Sequence, residues 1–359
     1  MAERMLMKGN EALGEAAIRA GCLFYYGYPI TPQTELLEYM ARELPRRGGT
    51  FLQTESEVAT IYYVYGTAAT GKRVMTASSS PGISLMAEGI SYLAAAQLPA
   101  VIVDIARASP GLGRIPPAQS DYRQLTSGGG HGDCRMVVLA PASVQEMADL
   151  TFLAFDLADR YRNPVAILAD GMLGQMMEPL EWKVRPAGKH SKDWAITGAR
   201  GRPRNMVLNA PYTDAELMET NRILTEKYRQ ITEAEQRWEY VDMEGAEMAV
   251  VAYGTSARIA MESVEEARRQ GIPVGLIRPI TLWPFPVRAF RPLLGKLKGC
   301  LTVEMNSGQM VQDVELAVRC TVPAHSYGLG GGWIPNTTGV REEIERVWES
   351  IRSSGVPER

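Results

Sequence analysis

The chain has 359 residues and a formal net charge of −3, and its 45% hydrophobic against 22% charged composition is that of a globular protein with room for about two domains. The near-neutral charge, without any Lys/Arg-rich stripe interleaved with aromatics, excludes an electrostatic nucleic-acid binder. No run reaches the roughly 18 to 20 apolar residues of a membrane span, and Met1 to Gly9 is too short and polar for a secretory signal, so a cytoplasmic protein without a membrane partner is expected.

Helical and strand periods alternate from the start, which predicts a parallel α/β sheet. A helix over Asn10 to Ala20 leads to a strand at Leu23 to Tyr26. The turn that follows, Gly27-Tyr28-Pro29-Ile30-Thr31-Pro32-Gln33-Thr34-Glu35, is stiffened by two prolines with φ near −65°. Pro32 suits a first helical position. Thr31 then sits at the helix mouth, either as a plain N-cap or as a partner for an anion drawn to the free N–H groups.

The helix runs from Thr34 to Leu44, with an exit turn at Arg46-Arg47-Gly48-Gly49. A strand at Thr50 to Gln53, a helix at Ser56 to Ala69, a strand at Arg73 to Ala77 and a helix at Ile83 to Ala96 come next. Pro99 to Ile105 is nearly continuous in apolar residues, as for a strand covered on both faces. A Gly/Pro/Ser-rich loop from Ala108 to Asp133 is long enough to be functional or disordered. Strands at Met136 to Leu139 and Val165 to Leu168 enclose a helix from Val144 to Tyr161.

From about Glu178 to Ala246 the composition changes. Arg200-Gly201-Arg202-Pro203-Arg204 argues against regular structure. A charged helix over Thr213 to Tyr240 is either solvated or packed across the domains or a partner. A second α/β unit then has a strand at Met248 to Tyr253, a helix to Arg269, a strand at Val274 to Ile277, a helix at Val287 to Lys298 and a strand at Leu301 to Glu304.

Several side chains could carry chemistry. Glu57 opens a helix directly after a strand, where it either complements the dipole or serves as a functional acid; Glu55 is the second choice. Arg107 follows the buried strand at its carboxyl end, where ligands gather in open α/β sheets. With Thr31 it could clamp a carboxylate, and Arg114 is an alternative from the same loop. Ser78-Ser79-Ser80-Pro81-Gly82 lacks the phosphate-loop pattern and better suits close approach of backbone to a flat ring. Cys22, Cys134, Cys300 and Cys320 form no CxxC pair and read as buried reduced thiols, so no iron–sulfur cluster is expected on this chain. His131, His190 and His325 lack metal-ligand spacing.

Taken in order, the motifs at 27 to 35, Gln53-Thr54-Glu55-Ser56-Glu57 and Thr76 to Gly82 carry a resemblance. It continues through Arg107 to Gly113, Pro117-Ala118-Gln119-Ser120-Asp121-Tyr122, Gly128 to Asp133, Asp170 to Pro179 and Arg278 to Pro286. In that order they are similar to the alpha subunit of 2-oxoacid:ferredoxin oxidoreductases of the branched-chain (2-ketoisovalerate, 3-methyl-2-oxobutanoate) type. About 180 to 245 remains unmatched. The resemblance implies a thiamine-type pyrimidine-binding parallel-sheet domain over 1–180, a connector over 181–245 and a transketolase C-terminal-like α/β domain over 246–359.

It further implies oxidative decarboxylation of a 2-oxoacid to acyl-CoA and CO₂, with electrons passed to ferredoxin. Glu57 would face the aminopyrimidine of thiamine diphosphate, with Tyr28, Pro29, Ile30, Ser79 and Ser80 around the cofactor, and Thr31 and Arg107 would take the substrate carboxylate. The family's Gly-Asp-Gly is missing, since Ala169 precedes Asp170-Gly171 and the next asparagine is Asn205. The diphosphate and Mg²⁺ are therefore expected on a beta subunit. Iron–sulfur clusters are expected on partner chains, with gamma and ferredoxin-like delta subunits, ferredoxin and coenzyme A as further partners. Two rivals stand beside this reading: a 2-oxoglutarate-type alpha subunit, using Arg114 or Arg123 for a distal carboxylate, and a non-catalytic assembly subunit.

Overall fold

The computed structural model describes residues 3–182, 188 and 190–353; the parts of the expected segments that fall on 1–2, 183–187, 189 and 354–359 lie outside the described residues. In chain order the first half has β1 (Glu3–Lys8), α1 (Gly9–Arg19), β2 (Phe24–Gly27), α2 (Thr34–Arg46), β3 (Thr50–Gln53), α3 (Glu57–Ala69), β4 (Val74–Ser78) and α4 (Pro81–Ala95). There follow β5 (Ala100–Ala108), β6 (Arg114–Pro117), α5 (Tyr122–Thr126), β7 (Val137–Leu139), α6 (Val144–Tyr161), β8 (Pro164–Asp170), α7 (Gly171–Gln175) and β9 (Met177–Trp182). The second half has α8 (Asp214–Ala234), β10 (Trp238–Val241), β11 (Met248–Val251), α9 (Gly254–Arg269), β12 (Val274–Pro279) and β13 (Thr281–Trp283). It closes with β14 (Gly299–Glu304), α10 (Val311–Ala317), β15 (Ala324–Gly328) and α11 (Thr337–Ser353).

The main sheet has the order β13-β7-β8-β5-β4-β2-β3, with β6 paired to β5. Strands β2, β3, β4, β5, β7 and β8 are parallel to their neighbours, while β13 and β6 add antiparallel edges. Period-two alternation divides each central strand between two cores. Met75, Ala77, Val101 and Val103 face α1, α2 and α6, whereas Val74 and Ile102 face α3 and α4. The second sheet, β10-β12-β11-β14-β15, is parallel except for β10. One of its faces packs on α9 and α11. The other shares a continuous core with the main sheet through Val251, Ile277, Phe290 and Met310. Among the described residues no helix is long and apolar enough to cross a membrane.

Five expectations are corrected here. Helix α2 starts at Thr34, as its period predicts, but Pro32 is not its first residue, and the Thr31-Pro32 peptide is cis. Residues 30–33 make a separate turn closed by Gln33 N donating to Ile30 O (3.1 Å), and the Asn10 side chain takes the Pro32 carbonyl (2.9 Å). The 108–133 loop contains β6 and α5, because it is fastened to β5 and to the second sheet instead of hanging free. The charged helix ends at Ala234; Trp238–Val241 becomes β10, since the β12 edge offers it a ladder. Val287 to Lys298 forms only two short 3₁₀ turns, as Pro292 lacks the N–H that a longer helix requires. Of the four thiols, Cys320 is exposed in the turn after α10.

Candidate active site

Strands β2, β4 and β5 lie side by side and parallel, so their carboxyl ends open on one edge, the usual ligand edge of such sheets. Alternation puts Thr76, Ser78 and Asp104 on the face that Val74 and Ile102 turn toward α3 and α4. All three are buried. The hydroxyls of Thr76, Ser78 and Ser79 have no hydrogen-bond partner among the described residues. A buried polar group left unpaired costs about 1–3 kcal/mol, so this cluster marks a place shaped for a polar guest and not for packing.

Glu57 stands beside it. Ser56 caps α3 by accepting from Ala59 N (3.2 Å), which fixes where the helix begins. Glu57, the first helical residue, is only 5% exposed, whereas Glu55 points to solvent. Gly82, on the first turn of α4, closes the group. A Cβ there would lie 2.0 Å from Ser78 Oγ and 2.6 Å from Glu57 Oε1. The carboxylate, the serine hydroxyl and the bare backbone of α4 therefore meet at one point, a cradle that any side chain would fill.

Ser80 links this cradle to the next site. Its φ of 26° is left-handed and unusual for serine. The residue is held by its N–H donating to Asp104 Oδ1 (3.2 Å) and its hydroxyl donating to Asp121 Oδ2 (2.5 Å), while Arg107 N donates to Ser80 Oγ (3.1 Å). Burial, then the like charge of Asp121, pushes the Asp104 carboxyl well above the usual carboxylate range. Burial also raises Asp121, against the pull of the Ser80 hydroxyl. Two carboxylates facing each other out of water keep a proton between them.

Arg107 is buried, with Nη1 donating to Thr31 O (2.9 Å) and Nη2 to Leu112 O (2.6 Å). Its Nε–H has no acceptor among the described residues, so the guanidinium keeps a donor to spare. Thr31 and Arg107 are thus brought together, but through the threonine carbonyl and not at a helix mouth. Tyr28, Pro29 and Thr31 are exposed and Ile30 half-buried along the same edge. Gln33, which the sequence did not single out, braces this turn with Nε2 donating to Tyr28 O (3.1 Å) and leaves Oε1 buried without a donor.

The alternative cations lie elsewhere. Arg114 is exposed on β6, and Arg123 donates to Gln312 (2.7 Å). Asp170 Oδ1 caps α7, accepting from Met172 N (2.9 Å) and Leu173 N (3.2 Å). A cavity of about 480 Å³ opens in the connector beside Ile196, Arg202, Met206 and Tyr212, and none of the candidate residues lines it. Among the described residues, no group of three or more His, Cys, Asp or Glu side chains could hold a metal ion.

Asp104 and Asp121 were missed by sequence reasoning. A lone acid inside the apolar run Ala100 to Ile105 was the available signal for the first.

The arrangement would hold a flat heteroaromatic ring against the Ser78–Gly82 backbone with Glu57 at its edge, and a carboxylate beside Arg107. Residues 15–246 match the family model described as pyruvate flavodoxin/ferredoxin oxidoreductase, thiamine diphosphate-binding, and residues 246–336 match pyruvate:ferredoxin oxidoreductase core domain II. A ketoisovalerate oxidoreductase subunit VorB from Methanothermobacter marburgensis is 54% identical over 96% of this chain and 98% of its own length. The solved 2-oxoglutarate:ferredoxin oxidoreductase from Magnetococcus marinus, with 2-oxoglutarate, coenzyme A and succinyl-CoA bound, superposes with a TM-score of 0.82 at 26% identity, over 98% of this chain and 66% of that one. A split-gene transketolase, an inactive beta4 tetramer, shares the fold, with a TM-score of 0.60 at 13% identity over 96% of this chain and 98% of that one.

Proposed function

The chain belongs to the pyruvate flavodoxin/ferredoxin oxidoreductase family, and from that premise we propose that it is the alpha-type subunit of a 2-oxoacid:ferredoxin oxidoreductase acting on a branched-chain 2-oxoacid. The meeting of Glu57, Ser78 and Gly82 at one buried point is the observation that carries this reading. Thiamine diphosphate, when bound, supplies the nucleophilic carbon for a 2-oxo group and takes up the electrons left when CO₂ departs. Glu57 would hold a proton at the pyrimidine ring nitrogen, a charge-assisted contact worth about 1.5–3 kcal/mol. Ser79, Ser80 and the Tyr28–Ile30 turn would confine the ring, and the unpaired Ser78 hydroxyl would offer it a donor. Arg107 and Thr31 would orient the substrate carboxylate, and excluding water at Arg107 strengthens that contact.

The second half of the reading is that this site is completed by another chain. Asp170 is engaged as a helix cap, so the diphosphate and Mg²⁺ would be held by a beta-type subunit. Iron–sulfur clusters, ferredoxin docking and coenzyme A contacts would involve further chains of gamma and delta type. Val58 and Tyr62, on the first two turns of α3 that Glu57 opens, and Leu85, on the second turn of α4, are exposed apolar residues where such a partner would sit. With this goes a division into a pyrimidine-binding domain over 1–180, a connector over 181–245 and a transketolase C-terminal-like domain over 246–359.

The test is purification of the complex with its partner chains, cofactor analysis, and rates with 2-oxoisovalerate and 2-oxoglutarate. A faster reaction with 2-oxoisovalerate is expected; preference for 2-oxoglutarate would move the substrate assignment to the rival type. Glu57→Gln should lower turnover by about 10²–10⁴-fold, as for other acid–base groups. Undiminished turnover in that variant would reject the role of Glu57.

A further inference from the structure

Segment 119–123 faces two ways. Every polar group of Gln119 is spent on the second sheet and its flanking loops. Its N–H donates to Met305 O (3.0 Å), and its carbonyl accepts from Asn306 Nδ2 (2.9 Å). Its Nε2 donates to Tyr253 O (2.9 Å), and its Oε1 accepts from Ser256 Oγ (2.8 Å) and Met305 N (3.0 Å). Gln309 Nε2 donates to Ser120 O (2.8 Å), and Tyr122 OH donates to Asp313 Oδ2 (2.6 Å). Between these anchors Asp121 turns the opposite way, into the main sheet, where its Oδ2 takes the Ser80 hydroxyl (2.5 Å). Ser80 Oγ in turn receives the main-chain N–H of Arg107 (3.1 Å).

The path from the second sheet to the arginine thus runs through buried hydrogen bonds and one short covalent leg, Gln119-Ser120-Asp121. Gln119, Asp121, Ser80 and Arg107 are all less than a tenth exposed. Buried bonds of this kind have no water to substitute for a lost partner, so displacement at one end is passed on. We infer that Gln119 is a positioning residue for Arg107, through which docking of the second sheet sets the affinity for the substrate carboxylate. Gln119 does not touch the substrate site; it fixes where Asp121 stands, and Asp121 fixes Ser80 and the Arg107 backbone. Glycine at 254 serves the same contact, since a Cβ there would press within 3.0 Å of Gln119 Nε2.

This rests on the reading of Arg107 as the carboxylate clamp, so the test carries Arg107→Lys as its own arm. In the assembled complex, Gln119→Leu should raise the KM for 2-oxoisovalerate on the order of tenfold, with kcat within about twofold and the KM for coenzyme A unchanged, as for loss of positioning. Asp121→Ala should do the same, and Asp121→Asn, which keeps an acceptor for the Ser80 hydroxyl, should recover most of the lost affinity. Independently of turnover, hydrogen exchange of the peptide carrying the Arg107 amide should quicken in Gln119→Leu while α6 stays protected. Should Gln119→Leu fail to assemble, Asp121→Ala against Asp121→Asn decides alone. If Arg107→Lys raises the KM but neither Gln119→Leu nor Asp121→Ala does, the positioning role is overturned. If Arg107→Lys itself leaves the KM unchanged, the clamp reading fails first.

Discussion

Asp104 is buried in the middle of the main sheet, where its Oδ1 accepts the Ser80 backbone N–H, and burial together with Asp121 raises its pKa. For a carboxyl whose folded pKa lies above its unfolded value of about 3.9, the folded state binds more protons across that gap. Its stability contribution is then whole below about pH 4 and is lost as pH rises through the raised folded value. Asn at 104 would still accept from Ser80 N and would offer an N–H to Asp121 without a proton to lose. Asp104→Asn should therefore be more stable than the parent at neutral pH, with the gap closing as pH falls toward about 4. Urea unfolding at a series of pH values measures this; a gap independent of pH would refute it. The sequence announced Glu57, Thr31 and Arg107 because each follows a strand in a recognisable motif. It could not announce the Asp104–Asp121 pair, because what pairs them is the fold of a loop back onto a strand 17 residues away.

Elements whose own period decides their structure were legible: Thr50–Gln53 and Val144–Tyr161 form where the pattern puts them. Elements that exist only because a neighbour receives them were not. Strand β1 finds its ladder on β9, β13 on β7, and β10 on β12. Helix α8 is legible in its charged pattern, yet which of its residues are buried is not: Leu224, Tyr228 and Ile231 lie in the first core, with Tyr228 edge-on to Trp283. It also carries Lys227, whose Nζ donates to Arg162 O just past the end of α6 (3.0 Å). Burial first, and the nearby Arg162 charge second, bring the Lys227 pKa down to about 7. The unfolded lysine, near 10.4, holds its proton longer, so stability should rise with pH between about 7 and 10 and bear the full cost of the buried charge below about 7. Lys227→Met should flatten that rise and stabilise the chain at pH 6, as thermal unfolding would register. An unchanged pH profile would place the lysine in water.

At the scale of the whole molecule, the two sheets are not independent bodies joined by a linker. The core around Ile83, Met86 and Ile102 runs on into Val251, Ile277 and Phe290, and β13, from the second half of the chain, closes the edge of the first sheet. Apolar side chains remain exposed near the candidate site, as they do on the connector and α8. Leu85 is 53% exposed, and Val58 and Tyr62 are exposed on the adjoining helix. On a free monomer such side chains contribute little, and an exposed substitution typically changes stability by no more than about 0.5 kcal/mol. At a subunit interface the same residues sit in a desolvated patch where a buried unpaired charge costs several kcal/mol. The two cases separate in one experiment. Leu85→Lys should leave the thermal midpoint of the isolated chain within about 2 °C, yet abolish copurification with the partner carrying the diphosphate site. Were the complex to form undiminished, the face beside Glu57 would be solvent, and the cofactor would have to be held by this chain alone, which the capped Asp170 makes hard to arrange.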